Sequence, residues 1–196
     1  QSTAMNIFAN IDDCALIIND FLPLNLFKKI VNFKYDVSLN SHSKWEKSLF
    51  KDNQETITMK EVKFSNNLGS IEKQEIKAVD PIFKDFLKTI TECPFIPFQE
   101  TSSLTCFYYE YDKFSGINWH HDGNYTLNYS FYIHNEWDEN WGGETLINTG
   151  RGLPLSSSPT PNSLLAIKNN VLHKVTCVVG PKKRKLIIFI VKTRKA

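Results

Sequence analysis

The sequence is short of cysteine, of long apolar runs and of charge of one sign, and each shortage excludes a class of protein. Its four cysteines, Cys14, Cys93, Cys106 and Cys177, are far apart and form no CxxC pair. That spacing speaks against a zinc finger, and the count is too low for a small secreted scaffold held by disulfides. They read as reduced, mostly buried thiols, and the expected compartment is cytoplasmic. No stretch reaches the roughly 18 apolar residues of a membrane span, and no secretory leader is visible. The formal net charge is only +2, too small to demand nucleic acid as a partner. There are no internal repeats and no HExxH zinc-hydrolase motif.

What is present is an ordinary globular composition: 196 residues, 41% hydrophobic, 22% charged and 13% aromatic. At this length a chain buries roughly 70% of its extended surface and needs no metal or disulfide to hold its core. The aromatic content suits a β-rich interior. Gln1 to Ala4, ahead of Met5, read as an expression remnant, and residues 5–196 as a single domain. Its first part, about 5–100, is expected to supply helical support and a lid region, and about 101–196 the β core.

Two helices are expected early. Leu24, Leu26, Phe27, Ile30, Val31 and Phe33 recur at helical spacing behind Pro23. Ile82, Phe83, Phe86, Leu87 and Ile90 do so between Pro81 and Cys93, with Asp80 as a candidate N-cap and Pro94 as a stop. The polar segment from Ser38 to Ser70, with Trp45, Phe50 and Phe64, could serve as a lid over a substrate. From residue 100 onward short strand-like runs dominate: Leu104–Tyr111, Thr126–His134, Gly143–Asn148, Ser163–Asn169, Val171–Val179 and Leu186–Val191. The fold class this implies is mainly β with N-terminal helices, a jelly roll buttressed on one side.

The chemistry-bearing residues lie in that second half. His120 and Asp122 form an HxD, and on a strand residues two apart share a face. His173, inside an apolar strand candidate, could add a second imidazole. Two nitrogens and one carboxylate on one face of a metal leave positions open, the arrangement of non-haem Fe(II) oxygenases. Taken singly, His173 could be a satisfied core histidine and Asp122-Gly123 a plain turn. Arg184 follows His173 by eleven residues, ahead of an apolar strand. A guanidinium entering a barrel must face an anion, and it suits a carboxylate in bidentate fashion. Alternatively it belongs to the exposed basic run Lys182 to Lys185.

His120-x-Asp122, then Trp141-Gly142-Gly143-Glu144-Thr145, then His173 and Arg184 together resemble the 2-oxoglutarate/Fe(II)-dependent dioxygenases. Within them the pattern is most similar to the prolyl 4-hydroxylase-like branch. Tyr132-Ile133-His134 stands where that branch often has tyrosine–leucine–asparagine, and Pro161-Asn162-Ser163 resembles the lead into the strand before the second metal histidine. The resemblance covers about residues 104–192. It implies a double-stranded β-helix of the cupin-like kind, with His120, Asp122 and His173 binding Fe(II). It implies that Arg184 holds the distal carboxylate of 2-oxoglutarate, with Lys182 or Lys183 as register alternatives, and that Tyr132 and Tyr111 line the same pocket. It makes the protein an enzyme that uses O2, with ascorbate as an optional reductant, to hydroxylate an unactivated C–H bond and release succinate and CO2. The expected substrate is a prolyl residue in a peptide or protein. A free amino acid, a small metabolite, or a non-catalytic cupin-like module that only binds metal or ligand are the alternatives. The superfamily's nucleic-acid demethylases usually carry a second arginine six residues after the first; Ile190 stands there, which argues against a nucleic-acid substrate. His121 is expected at the rim, and His134 departs from the family pattern.

Overall fold

The computed structural model describes residues 5–11, 14–35, 40–41, 59–63, 71–72, 81–96, 102–111, 113–114, 116–122, 127–168 and 170–193. Two antiparallel sheets face one another. The larger has nine strands. Its main path runs β1 (Asn6–Ile11), β2 (Ala15–Asn19), β11 (Leu164–Lys168), β8 (Leu127–Tyr132), β13 (Arg184–Thr193), β6 (Ser102–Tyr111), β4 (Met59–Lys63) and β3 (Asn40–Ser41), and β5 (Ile71–Glu72) also pairs with β6. The smaller has four strands, ordered β10 (Leu155–Ser157), β9 (Thr145–Ile147), β12 (His173–Val175) and β7 (Ile117–His120). This is the double-stranded β-helix expected from the sequence.

Strand alternation splits the core in two. On the central strands Ile18, Tyr108, Tyr129, Phe131, Leu164, Ala166, Ile187 and Phe189 face one way. Ile17, Tyr111, Tyr132, Leu165, Ile167 and Leu186, their neighbours in sequence, face the other. Both faces are covered, so these strands read as nearly unbroken apolar runs. The first face is covered by two helices. α1 (Leu24–Asn32) buries Phe27 and Ile30, and α2 (Pro81–Glu92) buries Phe83, Phe86, Leu87 and Ile90. Phe131 is the hub of that layer: Phe21, Phe27 and Phe86 have ring centroids 5.6, 6.2 and 5.5 Å from it. Burying one such ring is worth about 1.5–3 kcal/mol. The second face meets the small sheet, and that space holds the candidate site. Asn162 locks the helical entry to the sheet. Its Oδ1 accepts from the Leu22 amide and its Nδ2 donates to the Leu22 carbonyl, both at 2.9 Å.

The helices fall where the apolar spacing put them, each one residue shorter at its end. The hairpin β1–β2 was not expected. It precedes α1 and extends the large sheet through β11. β10 lies inside the Pro/Ser-rich run 154–161, and β12 keeps only three residues of the expected Val171–Val179 strand. Of the segment read as a lid, Asn40–Ser41 and Met59–Lys63 are described, and both are strands of the large sheet, with Met59 opposite Tyr111. Trp45, Phe50 and Phe64 lie outside the described residues. Among the described residues no helix is long and apolar enough to cross a membrane.

Candidate active site

β7 and β12 are neighbours in the small sheet, and their register sets His120 opposite His173. The two rings stand 4.3 Å apart, centroid to centroid. Asp122 is not on the strand: β7 ends at His120, and the chain then folds the carboxylate back between the imidazoles. Oδ1 lies 3.6 Å from His120 Nε2 and Oδ2 lies 3.3 Å from His173 Nε2. One donor atom from each residue falls within 4.8 Å of the others. Donors at adjacent positions around a first-row cation, bonded at about 2.1 Å, stand about 3 Å apart, so this cluster is near the size of such an ion.

The backbone fixes which nitrogen is offered. His120 Nδ1 is 2.7 Å from the Asn118 carbonyl, and His173 Nδ1 is 2.9 Å from the Val171 carbonyl. A carbonyl only accepts, so each Nδ1 carries the proton and each Nε2 presents a lone pair to the centre. Burial first, and then the neighbouring His173, push the His120 pKa below its ordinary value, which favours the neutral ligand form.

Beside this cluster sits a buried cation. Arg184, the first residue of β13, is 1% exposed. Its Nε donates to the Gly143 carbonyl at 2.8 Å, and Nη2 lies 3.2 Å from the Tyr132 hydroxyl and 3.3 Å from Thr145 Oγ1. The guanidinium carbon lies 4.6 Å from the centre of the Tyr111 ring and 5.1 Å from that of Tyr132. Nη1 is buried and, among the described residues, has no hydrogen-bond partner. Arginine cannot shed its charge, and among the described residues no carboxylate pairs with this one. A free, buried, charged donor calls for an anion. Burial pushes the Tyr111 phenol up to about 12; Arg184 pulls against that shift while Asp122 adds to it. Tyr111 therefore feels both the arginine and the carboxylate. The other two candidates for the anchor turn outward: Lys182 pairs with Glu136, and Lys183 with Glu110 at 3.2 Å.

The Trp-Gly-Gly-Glu-Thr segment shapes the arginine's end of the pocket. Gly143 has φ +75°, and a Cβ there would lie 3.0 Å from Arg184 Cδ and 3.2 Å from Trp137 Cζ2. The glycine lets its carbonyl reach Arg184 Nε, and Thr145 follows with its hydroxyl. Neither group carried a role in the sequence reading. Asn128 is a third missed residue: its Nδ2 donates to Asp122 Oδ2 at 2.8 Å. It is four residues before Tyr132 on β8, which is the available signal, since both then fall on one side of the strand.

The remaining histidines separate cleanly. His121 is exposed, and His42 lies outside the described residues. His134 is buried, stacked on Trp137 at 4.7 Å and nearly parallel to Tyr132 at 6.2 Å. Among the described residues, neither of its ring nitrogens has a hydrogen-bond partner.

Two imidazoles and one carboxylate within a double-stranded β-helix are the donor set of a non-haem Fe(II) centre, and the buried guanidinium beside them is suited to an anion. Comparison points the same way: residues 106–191 match the model of the 2OG-Fe(II) oxygenase superfamily. Its fold is shared with a prolyl-4-hydroxylase of Pseudomonas putida (TM-score 0.60, 13% identity, covering 92% of this chain and 93% of that one). It is also shared with a 2OG-Fe(II) oxygenase family oxidoreductase of Burkholderia pseudomallei (0.66, 12%, 93% and 86%). A third is a Trichoplax adhaerens prolyl hydroxylase, solved with a hypoxia inducible factor oxygen degradation domain peptide fragment (0.61, 15%, 92% and 84%). No curated protein matches the chain by sequence.

Proposed function

We propose that this protein hydroxylates an unactivated C–H bond of a prolyl residue in a peptide or protein, with Fe(II) held by His120, Asp122 and His173. The observation that carries the reading is the buried Arg184, whose Nη1 is open beside that triad. The residues fit both missing groups. Two nitrogens and one oxygen suit Fe(II) and leave about three coordination positions for an oxoacid and oxygen. The bound iron and 2-oxoglutarate supply the oxidation: substrate R–H, 2-oxoglutarate and O2 become R–OH, succinate and CO2.

The chain's own work is binding and exclusion. Arg184 takes the distal carboxylate of 2-oxoglutarate through Nη1, while Nε and Nη2 stay tied to Gly143, Tyr132 and Thr145. The guanidinium is therefore already oriented when the co-substrate arrives. Tyr111 and Tyr132, which flank the guanidinium, belong to one buried apolar cluster with Ile147, Leu165 and Leu186, and a low-dielectric setting of that kind strengthens an ion pair. The Asn118 and Val171 carbonyls hold a proton on Nδ1 of each histidine, so that Nε2 is the atom turned toward the metal position. The prolyl substrate is supported by the shared fold with the Pseudomonas and Trichoplax prolyl hydroxylases.

The test is a panel of proline-containing peptides incubated with Fe(II), 2-oxoglutarate and ascorbate in air. The expected result is a product about 16 Da heavier, with one succinate formed per hydroxylation. His173→Ala should fold and make neither. Sustained turnover in that variant would sink the triad, and hydroxylation of free amino acids but of no peptide would replace the substrate class.

A further inference from the structure

The Asp122 carboxylate lies across the two imidazoles, with Oδ1 toward His120 and Oδ2 toward His173. So placed, it can grip a cation through either oxygen or through both. One oxygen is already engaged: Asn128 Nδ2 donates to Oδ2 at 2.8 Å. Asn128 stands opposite Ile167 of β11 and Ile190 of β13, and its own Oδ1 is buried with no partner among the described residues. A carboxamide set between aliphatic strand positions costs stability unless its polar atoms are used. Among the described residues, the hydrogen bond to Asp122 is the one such use.

We propose that Asn128 is a positioning residue for the metal centre. It fixes the rotation of the Asp122 carboxylate, occupies a lone pair of Oδ2, and leaves Oδ1 as the single strong oxygen donor to Fe(II). The inference rests on the Fe(II) reading given above. Its consequence is an open coordination position. A carboxylate free to rotate could close on the cation with both oxygens and take a place that the oxoacid or oxygen needs. Outer partners of this kind typically change metal affinity by about 10–100-fold when removed.

The test titrates metal-free protein with Co(II) alone and follows the visible d–d absorption, so that turnover is not the readout. Asn128→Leu keeps the branched outline and removes the donor; Asn128→Gln keeps an amide donor. Wild type should bind one Co(II). Asn128→Leu should bind about 10–100-fold more weakly with an altered band shape at saturation, and Asn128→Gln should recover most of the affinity. Metal-free melting temperatures should agree within a few degrees. If Asn128→Leu does not fold, Asn128→Ser, too short to reach Oδ2, carries the same expectation. Affinity within threefold of wild type in the donorless variant, with an unchanged band, overturns the role of Asn128 and leaves the metal site standing. No Co(II) binding by wild type overturns the Fe(II) reading, and this inference with it.

Discussion

Lowering the pH should cost this protein stability through one particular side chain. His134 is buried between Tyr132 and Trp137, and burial, then the charges of Arg184 and Lys185, push its pKa down to about 3. In the unfolded chain the same imidazole titrates near 6.5. A depressed pKa means that the unfolded state takes up the proton first. The stability this group contributes is therefore whole above about pH 6.5 and is lost as pH falls toward 3. At pH 5 the gap from 6.5 is about 1.5 units, or about 2 kcal/mol at 1.36 kcal/mol per unit. His134→Phe keeps a flat ring against Trp137 and cannot titrate. The assay is urea unfolding of metal-free wild type and variant at pH 7, 6 and 5, comparing how much each loses. Other carboxylates and histidines titrate in both proteins and cancel. Wild type should lose about 2 kcal/mol more than the variant between pH 7 and 5. Parallel pH dependences, within about 0.5 kcal/mol, would show that His134 is not held neutral by its burial.

Other consequences follow from the same geometry. Arg184→Ala removes the buried anchor, and losing about 3 kcal/mol of charged hydrogen bonding should raise the 2-oxoglutarate requirement about 100-fold with Co(II) or Fe(II) affinity little changed; steady-state kinetics against metal titration separates the two. Gly143→Ala places a Cβ 3.0 Å from Arg184 Cδ at φ +75°, so it should weaken 2-oxoglutarate binding and cost about 1–2 kcal/mol of stability; a variant as stable and as avid as wild type would contradict the close approach. Asn162→Ala loses both side-chain bonds to Leu22 and leaves a non-glycine residue at φ +58° without them. It should cost about 2–3 kcal/mol in chemical denaturation, with the metal affinity of the folded fraction preserved.

Residues with distinctive chemistry were legible in the sequence, and those defined by cross-strand register were not. His120, Asp122, His173 and Arg184 could be picked out because few residue types bind metals or anchor oxoacids, and their order and spacing are narrow. The helices were legible because one face of each is apolar at helical spacing. Asn128, Thr145 and the Gly143 carbonyl gain their roles only when β8, β9 and β13 are brought together, and nothing local to them says so. The β1–β2 hairpin was hidden for a different reason. β2 buries Ala15, Ile17 and Ile18 on two faces, so its five residues read as a short apolar run with no clear period. The HxD argument assumed a strand through both residues. The structure ends β7 at His120 and reaches the same convergence by turning Asp122 back toward the imidazoles.

The most direct test of the central claim is an anaerobic titration of metal-free protein with Fe(II) and then 2-oxoglutarate, followed in the visible. The account predicts a charge-transfer band that saturates at one 2-oxoglutarate per chain and that Arg184→Ala fails to develop at the same concentration. Iron bound to folded protein with no band at any 2-oxoglutarate concentration would contradict it, because the buried guanidinium would then serve some other anion.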